Sequence, residues 1–247
     1  MTPLPPGRSV YPGLFIAGTD TGVGKTMIAS AILRYARTRR GQNLIPFKPV
    51  ETGVERIPED AARLLEASLA PVTLAAVCPF PLSLPAAPQA AAAAAGLTLS
   101  LDSLRDHADR LAARGAGLVV ESAGGLLAPY APGVTGADLA AALGLPILLV
   151  ARTALGTINH VALTVHELTR RALPLAALIL VQTQPDRGPH EPGNLALIEQ
   201  LTGVRAAGIM GYVAEPTPDA LAQALAHAVT DATLRHLLDL AGGPLSP

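Results

Sequence analysis

Short apolar runs alternate along the chain with segments in which apolar residues recur at helical spacing. The runs are mostly unbroken, which is typical of strands that are covered on both faces. Their alternation with helices predicts an α/β fold with a single doubly wound, mostly parallel sheet flanked by helices. The predicted strands are Leu14–Ala17, Leu44–Phe47, Leu118–Val120, Pro146–Ala151, Ala176–Val181 and Ala207–Val213.

Three helices have clear signals in the sequence. The first follows the glycine-rich stretch at residues 17–26 and ends in a basic turn before Gly41, which predicts a C-terminal glycine cap. A second begins near Thr157, and a third is predicted from about Pro218 to Leu240. In such folds ligands bind outside the carboxyl ends of the strands.

Proline and alanine clusters interrupt the alternation of predicted strands and helices. Residues 78–89 contain four prolines and predict an irregular surface loop, whereas the six alanines at 90–95 predict a short helix. Residues 184–193 predict a second loop. We expect a flexible extension at residues 1–12, one domain over 13–240 and a tail at 241–247.

The composition argues against a nucleic-acid-binding protein and against a membrane-spanning one. The 247 residues are 50% apolar and carry a net charge of −1, so the chain can bury a core and lacks the basic footprint of a nucleic-acid binder. The apolar runs fall short of the roughly 20 residues that cross a bilayer. Cys78 is the single cysteine and no apolar signal-peptide core precedes the first strand, so we expect a cytoplasmic protein.

The stretch AGTDTGVGKT at residues 17–26 joins the first strand to the first helix. Glycines at such a junction let backbone amides approach an anion, Lys25 can reach the outer phosphates, and the hydroxyl of Thr26 can bind Mg²⁺. The usual pattern has a glycine at the position of Thr19, but here the glycine is Gly18. The stretch therefore predicts a variant phosphate loop of the P-loop NTPase type.

Three further positions at the expected ligand-binding edge carry candidate chemistry. Lys48 follows a predicted strand, where it can hold an anion or remain a solvated lysine. Asp60 begins a helix, where a carboxylate commonly stabilises the helix dipole. Glu121 ends a buried strand, a position that favours a metal ligand over a capping residue.

Five segments together resemble the dethiobiotin synthetase family, in the order in which that family has them. They are TDTGVGKT at 19–26, KPVETG at 48–53, DAARL at 60–64, ESAGG at 121–125 and LGTINH at 155–160. Ser122 stands where the family has a glycine. The resemblance covers most of the chain, and it implies an ATP-dependent ligase that closes the ring of dethiobiotin from 7,8-diaminononanoate and CO₂.

The resemblance also implies roles for individual residues. Lys25 and Lys48 would be catalytic, and Thr26, Asp60 and Glu121 would hold Mg²⁺. The substrate would contact Thr21, Lys48, Thr52 and, from the other subunit of a homodimer, the helix start Gly156, Thr157, Ile158 and Asn159, whose amides form an anion site. ATP would contact Gly22, Val23, Gly24, Lys25, Thr26, Met27, Asp60, Glu121, Ser122, Ala123, Gly124, Gln182, Thr183, Gly211, Tyr212, Val213 and Glu215.

Three residues bear on the choice of nucleotide and on the alternative class of protein. Gln182 stands where the family has an asparagine that reads the base, and Gly211 stands where it usually has a proline. The alternative is a partner-regulated ATPase of the partitioning or metal-cluster-carrier type. Those proteins carry a second lysine at the position of Asp20, so this chain lacks their signature.

Overall fold

The computed structural model describes residues 11–114, 117–186 and 191–242. Its strands are β1 (Gly13–Gly18), β2 (Ile45–Phe47), β3 (Val50–Thr52), β4 (Phe80–Leu82), β5 (Leu118–Gly125), β6 (Pro129–Ala131), β7 (Val134–Thr135), β8 (Ile147–Arg152), β9 (Leu175–Val181) and β10 (Gly208–Met210). Its helices are α1 (Lys25–Arg40), α2 (Glu59–Ser68), α3 (Leu74–Val77), α4 (Pro88–Ala94), α5 (Leu101–Ala112), α6 (Gly136–Leu143), α7 (Thr157–Arg170), α8 (Glu191–Thr202), α9 (Pro218–Ala228) and α10 (Asp231–Gly242).

Among the described residues, six parallel strands form the central sheet in the order β10-β9-β8-β1-β5-β2. Each of the six predicted apolar runs overlaps one of these strands, which confirms the predicted fold class. The chain moves from β1 to one edge of the sheet and later to the other. The crevice that this reversal leaves at the carboxyl ends lies beside β1.

Two apolar layers enclose the sheet because successive side chains of a strand point to opposite faces. Leu14 and Ile16 pack on the face covered by α1, α9 and α10, whereas Phe15 and Ala17 pack on the face covered by α5, α6 and α7. The central strands are thus buried on both sides, which explains why they are unbroken apolar runs in the sequence.

The prediction of an irregular surface loop at residues 78–89 is wrong in part. Phe80–Leu82 pairs in parallel with Val50–Thr52 to form a separate two-stranded sheet, and the side chain of Leu82 is buried. Pro81 is tolerated there because a two-stranded ladder leaves one edge of each strand without partners. Pro88 starts the alanine-rich helix α4, which confirms the short helix predicted at 90–95.

The single helix predicted from Pro218 to Leu240 is two helices, α9 and α10. Val229 is extended, with φ −125° and ψ 159°, and therefore ends α9. The hydroxyl of Thr230 then accepts a hydrogen bond from the amide of Thr233 at 3.2 Å, as an N-cap residue does. The second helix continues through Gly242 and thus includes two residues of the predicted tail.

Parts of three predicted segments lie outside the described residues. They are residues 1–10 of the N-terminal extension, 187–190 of the second loop and 243–247 of the tail. Residues 191–193 of that predicted loop belong to α8. In the part of the chain that the structure describes, no helix is both long and apolar enough to cross a membrane.

Candidate active site

The loop between β1 and α1 forms a turn that only glycine fits comfortably. Gly22 and Gly24 have φ of 71° and 98°, in the left-handed region, and Gly24 caps the N-terminus of α1. A Cβ atom at Gly24 would lie 2.8 Å from a methyl carbon of Val181, and one at Gly18 would lie 2.8 Å from Nζ of Lys25. Gly18 therefore leaves room for the lysine, which gives the displaced glycine of this variant loop a structural role.

Lys25 is buried inside this loop, with 6% of its surface exposed. Its ammonium donates a hydrogen bond to the carbonyl oxygen of Asp20 at 2.8 Å. Burial lowers the pKa of Lys25 to about 8, although the carboxylate of Glu121 opposes that shift. Lys25 makes no ion pair with any of the described residues, and an anion entering the loop would supply a partner for its charge.

Lys48 lies between two carboxylates rather than in solvent. Its ammonium contacts Glu121 Oε1 at 2.5 Å and Asp60 Oδ2 at 3.1 Å, and the residue is 3% exposed. Burial lowers the pKa of Lys48, but the two carboxylates outweigh it, so the net shift is upward. The alternative of a solvated lysine at this strand end is therefore wrong.

Glu121 joins this ion-pair cluster to the phosphate loop. Thr26 Oγ1 donates to Glu121 Oε1 at 2.9 Å. The other carboxylate oxygen, Oε2, is buried and has no hydrogen-bond partner among the described residues. The starts of α1 and α2, the residue after β2 and the middle of β5 thus bring Thr26, Lys48, Asp60 and Glu121 together. The expectation that Glu121 ends its strand is wrong, because β5 continues to Gly125.

A cavity of about 820 Å³ opens at the carboxyl ends of β1 and β5. Its volume falls in the range of small-ligand sites. The predicted site residues that line it are Thr21, Gly22, Gly24, Lys25, Thr26, Met27, Lys48, Thr52, Asp60, Glu121, Ala123, Gly124 and Thr183.

The donor set at one wall of this cavity fits Mg²⁺. Asp60, Glu121 and Thr26 offer the hard oxygen ligands that this ion prefers, and the unpartnered Oε2 of Glu121 provides a free acceptor. The ammonium of Lys48 between the two carboxylates marks the place as attractive to cations. The described residues contain no group of three or more His, Cys, Asp or Glu side chains that could hold a metal. Such an ion would therefore also need water or phosphate ligands.

The residues predicted to bind the nucleobase are only partly brought together at a cavity. Glu215 lines a second cavity of about 470 Å³, which shares Thr26, Met27 and Arg63 with the first. Gln182 is buried, and its Nε2 donates to the carbonyl oxygen of Pro185 at 3.0 Å. Neither cavity is lined by the predicted residues Gln182, Gly211, Tyr212 and Val213.

Other predicted residues also lie away from the large cavity. Val23 is packed in the apolar layer, and the side chain of Ser122 is fully buried, with no hydrogen-bond partner for its hydroxyl in the described chain. The helix start at Gly156, Thr157, Ile158 and Asn159 does not line the cavity either. Gly156, with φ 91°, is the N-cap of α7.

The structure adds residues that the sequence analysis did not assign. Glu51 and Arg63 line the large cavity, as do Gly125, Ala128 and residues 85–88 of the proline-rich segment. Arg63 follows Asp60 by three positions, a spacing that places two residues on one helix face. This spacing could have identified Arg63 as a cavity residue from the sequence. The proline-rich segment gave no such signal, because its return to the site depends on the β3–β4 pairing.

Comparisons with known proteins agree with the motifs. A family model described as an AAA domain matches residues 12–219. An ATP-dependent dethiobiotin synthetase of Anaeromyxobacter dehalogenans (strain 2CP-C) is 52% identical over 191 residues, which are 77% of this chain and 85% of that protein. The protein of the same name from Mycobacterium avium (strain 104) is 43% identical, over 78% of this chain and 84% of its own. That from Bacillus cereus (strain B4264) is 37% identical, over 82% and 84%.

Solved structures give the fold alone. A chain of the MinC:MinD cell division protein complex of Aquifex aeolicus matches with a TM-score of 0.51 and 14% identity, over 96% of this chain and 99% of that one. A ParA family ATPase of Chlorobium tepidum TLS matches with a TM-score of 0.52 and 12% identity, over 93% and 97%. At such low identity the partitioning-type alternative gains no support, whereas the synthetases are similar in sequence over most of their length. The chain therefore belongs to the family of ATP-dependent dethiobiotin synthetases.

Proposed function

We propose that the protein is a dethiobiotin synthetase, which converts 7,8-diaminononanoate, CO₂ and ATP into dethiobiotin, ADP and phosphate. One observation carries the proposal beyond the family resemblance. Lys25, the first residue of α1, and Lys48, the residue after β2, both line one cavity close to Glu121. The reaction joins two anions, a carbamate and a triphosphate, so it needs two separate positive groups at one place.

The proposed reaction has three steps. One amine of the substrate attacks CO₂ and loses a proton to give a carbamate, whose charge Lys48 stabilises. A carbamate oxygen then attacks the γ-phosphorus, breaking its bond to ADP and forming a carbamic-phosphoric anhydride, while Lys25 holds the phosphate oxygens. The second amine attacks the carbonyl carbon, and phosphate leaves as the ring closes.

We propose that Thr26, Asp60 and Glu121 hold Mg²⁺ together with the nucleotide. When bound, the ion supplies charge neutralisation on the phosphate oxygens. Thr26 and Glu121 already share a hydrogen bond, and Asp60 reaches the same lysine as Glu121. The three oxygen donors thus already lie close to one another, around the ammonium of Lys48.

The function is tested by incubating the purified protein with 7,8-diaminononanoate, ¹³C-bicarbonate and MgATP. We expect dethiobiotin that carries one ¹³C atom, detected by mass spectrometry, together with stoichiometric ADP. Omitting ATP is the control that should abolish the product. ATP hydrolysis without labelled product would instead favour the switch-ATPase alternative.

Asp60→Asn and Glu121→Gln should each raise the Mg²⁺ concentration required for half-maximal activity by about 10-fold or more. Losses of metal affinity on this scale are typical when residues that support a metal site are changed. Each change removes one anionic oxygen donor and keeps the side-chain size. Glu59→Gln is the matched control, because Glu59 is the neighbouring acidic residue and its side chain is 76% exposed. Parental Mg²⁺ titrations for both site variants would contradict the metal assignment.

We further propose a homodimer in which Gly156, Thr157, Ile158 and Asn159 of one subunit receive the substrate carboxylate in the other's site. Free amides at the start of α7 suit an anion. Thr157 Oγ1 is buried without a hydrogen-bond partner among the described residues, and Leu155 just before the helix is 77% exposed. A fully active monomer in analytical ultracentrifugation would exclude this arrangement.

For the nucleotide base we propose the region of Glu215, Gln182 and Thr183, with Gly211, Tyr212 and Val213 alongside. The 470 Å³ cavity that contains Glu215 adjoins the phosphate loop through Thr26 and Met27. A cytoplasmic location is proposed as well, because the reaction draws on an ATP pool.

A further inference from the structure

Asp60 is held at both its main chain and its side chain by one short segment of the protein. Its carboxylate contacts the ammonium of Lys48 at 3.1 Å, and its amide donates to Glu51 Oε1 at 3.0 Å. The other oxygen of Glu51 accepts the amide of Ala61, also at 3.0 Å. Both oxygens of Glu51 are therefore engaged by the first turn of α2.

This arrangement replaces the usual N-terminal cap. The residue before α2 is Pro58, which offers no side-chain hydrogen bond to the helix. The first amides of a helix lack partners within it, and an anion near them is also favoured by the helix dipole. Glu51 supplies both effects from β3, so α2 is attached at its start to the small β3–β4 sheet.

Glu51 performs this task while buried. It is 8% exposed and lines the large cavity. Burial raises the pKa of its carboxyl, and the amides of Ala61 and Asp60 oppose that shift without cancelling it. A carboxylate is unfavourable in such surroundings unless its oxygens are paired, and the amides of Asp60 and Ala61 pair both oxygens of Glu51.

We propose that Glu51 is a positioning residue, which fixes the start of α2 so that the Asp60 carboxylate stays at the metal and carbamate end of the cavity. The inference rests on the proposed function and deepens it. In that reaction Lys48 has to turn from Asp60 toward the carbamate. Lys48 therefore cannot be the anchor of Asp60. Among the described residues the Glu51 carboxylate accepts hydrogen bonds from backbone amides alone, so Glu51 can remain in place throughout.

Amide hydrogen exchange and Mn²⁺ binding test this in the ATP-free protein. In Glu51→Ala the amides of Asp60 and Ala61 should exchange about 10-fold faster or more, because two charge-assisted hydrogen bonds are lost. Mn²⁺ affinity, measured by electron paramagnetic resonance, should fall by about 10-fold, as for other supporting partners of metal ligands. Nucleotide affinity in EDTA should not change.

Two variants define the specificity of the effect. Glu51→Gln keeps one oxygen acceptor and should restore part of the protection and part of the Mn²⁺ affinity. Glu55→Ala removes an exposed acidic residue of the same connection and should behave like the parent protein.

The inference is overturned if Glu51→Ala keeps parental amide exchange at Asp60 and Ala61. It is equally overturned if that variant only unfolds at a lower temperature while its Mn²⁺ affinity stays parental, because Glu51 would then serve stability alone. Neither readout requires dethiobiotin to be made. If the parent protein forms no dethiobiotin, the proposed function fails on its own, and these measurements still decide the role of Glu51.

Discussion

Replacing Lys25 with alanine should lower dethiobiotin formation by about 10³-fold, the upper range for removing one group that stabilises a developing anion. In the proposed reaction its ammonium holds the phosphate that is transferred. The fold should survive the change, because among the described residues the ammonium of Lys25 makes one hydrogen bond, to the carbonyl of Asp20. Burial also lowers the pKa of Lys25 to about 8, which means that the folded state disfavours its charge.

Product formation by mass spectrometry and thermal unfolding of the same sample measure the two parts of this expectation. Arg39→Ala is the matched control, since it removes one positive charge from an exposed position of the same helix. A folded Lys25→Ala protein with near-parental, ATP-dependent product formation would show that this loop does not hold the transferred phosphate.

The second large effect is expected for Lys48→Gln, which keeps approximate size and polarity but removes the charge. Dethiobiotin formation should fall by about 10²-fold or more, because the carbamate loses its stabilising partner. ATP affinity should stay near parental, since Lys25 and the glycine loop remain. Diamine affinity should fall less than product formation, because in the proposed dimer the substrate carboxylate is held at the start of α7.

Burial complicates the Lys48 experiment in a defined way. Lys48 forms an ion pair with Glu121, whose side chain is 1% exposed. Removing one partner of a buried ion pair generally lowers the free energy of unfolding by about 3–5 kcal/mol. Unfolding should therefore be recorded first, and activity measured well below the lowered midpoint. If folded Lys48→Gln still forms product at the parental rate, Lys48 has no part in the mechanism. If ATP binding is lost and diamine binding is kept, Lys48 belongs to the nucleotide side.

The sequence predicted the central sheet well because its strands are buried on both faces. Such strands are unbroken apolar runs, and each of the six runs overlaps a strand of the sheet. Lys48 and Glu121 were predicted at the cavity edge of the sheet for the same reason, although β5 continues past Glu121 to Gly125. The strand order was not predicted, because it depends on which runs pair across the chain.

Features that depend on distant contacts escaped the sequence analysis. Glu51 lies inside a segment that was singled out, yet its role requires α2 to begin beside β3. The pairing of Phe80–Leu82 was hidden by the surrounding prolines, which locally favour a loop. The break at Val229 was hidden by the apolar spacing that continues from α9 into α10. Its one local sign was Thr230 followed by Asp231, a common helix start.

Lys25 and Lys48 are the only two lysines in the sequence, and both line the same cavity with 6% and 3% of their surface exposed. All other residues in the total of 18 lysines and arginines are arginines. Amine-directed reagents and lysine-specific proteases therefore find their side-chain targets in the folded protein only inside this site. Acylation by a small reagent reports how open the cavity is. Cleavage on the amino side of either lysine reports how often the surrounding segments unfold, because Pro49 hinders cleavage after Lys48. Lys25→Ala keeps only the side-chain amine of Lys48, and Lys48→Gln keeps only that of Lys25. Acylation and cleavage of these two variants therefore measure the accessibility of each lysine separately.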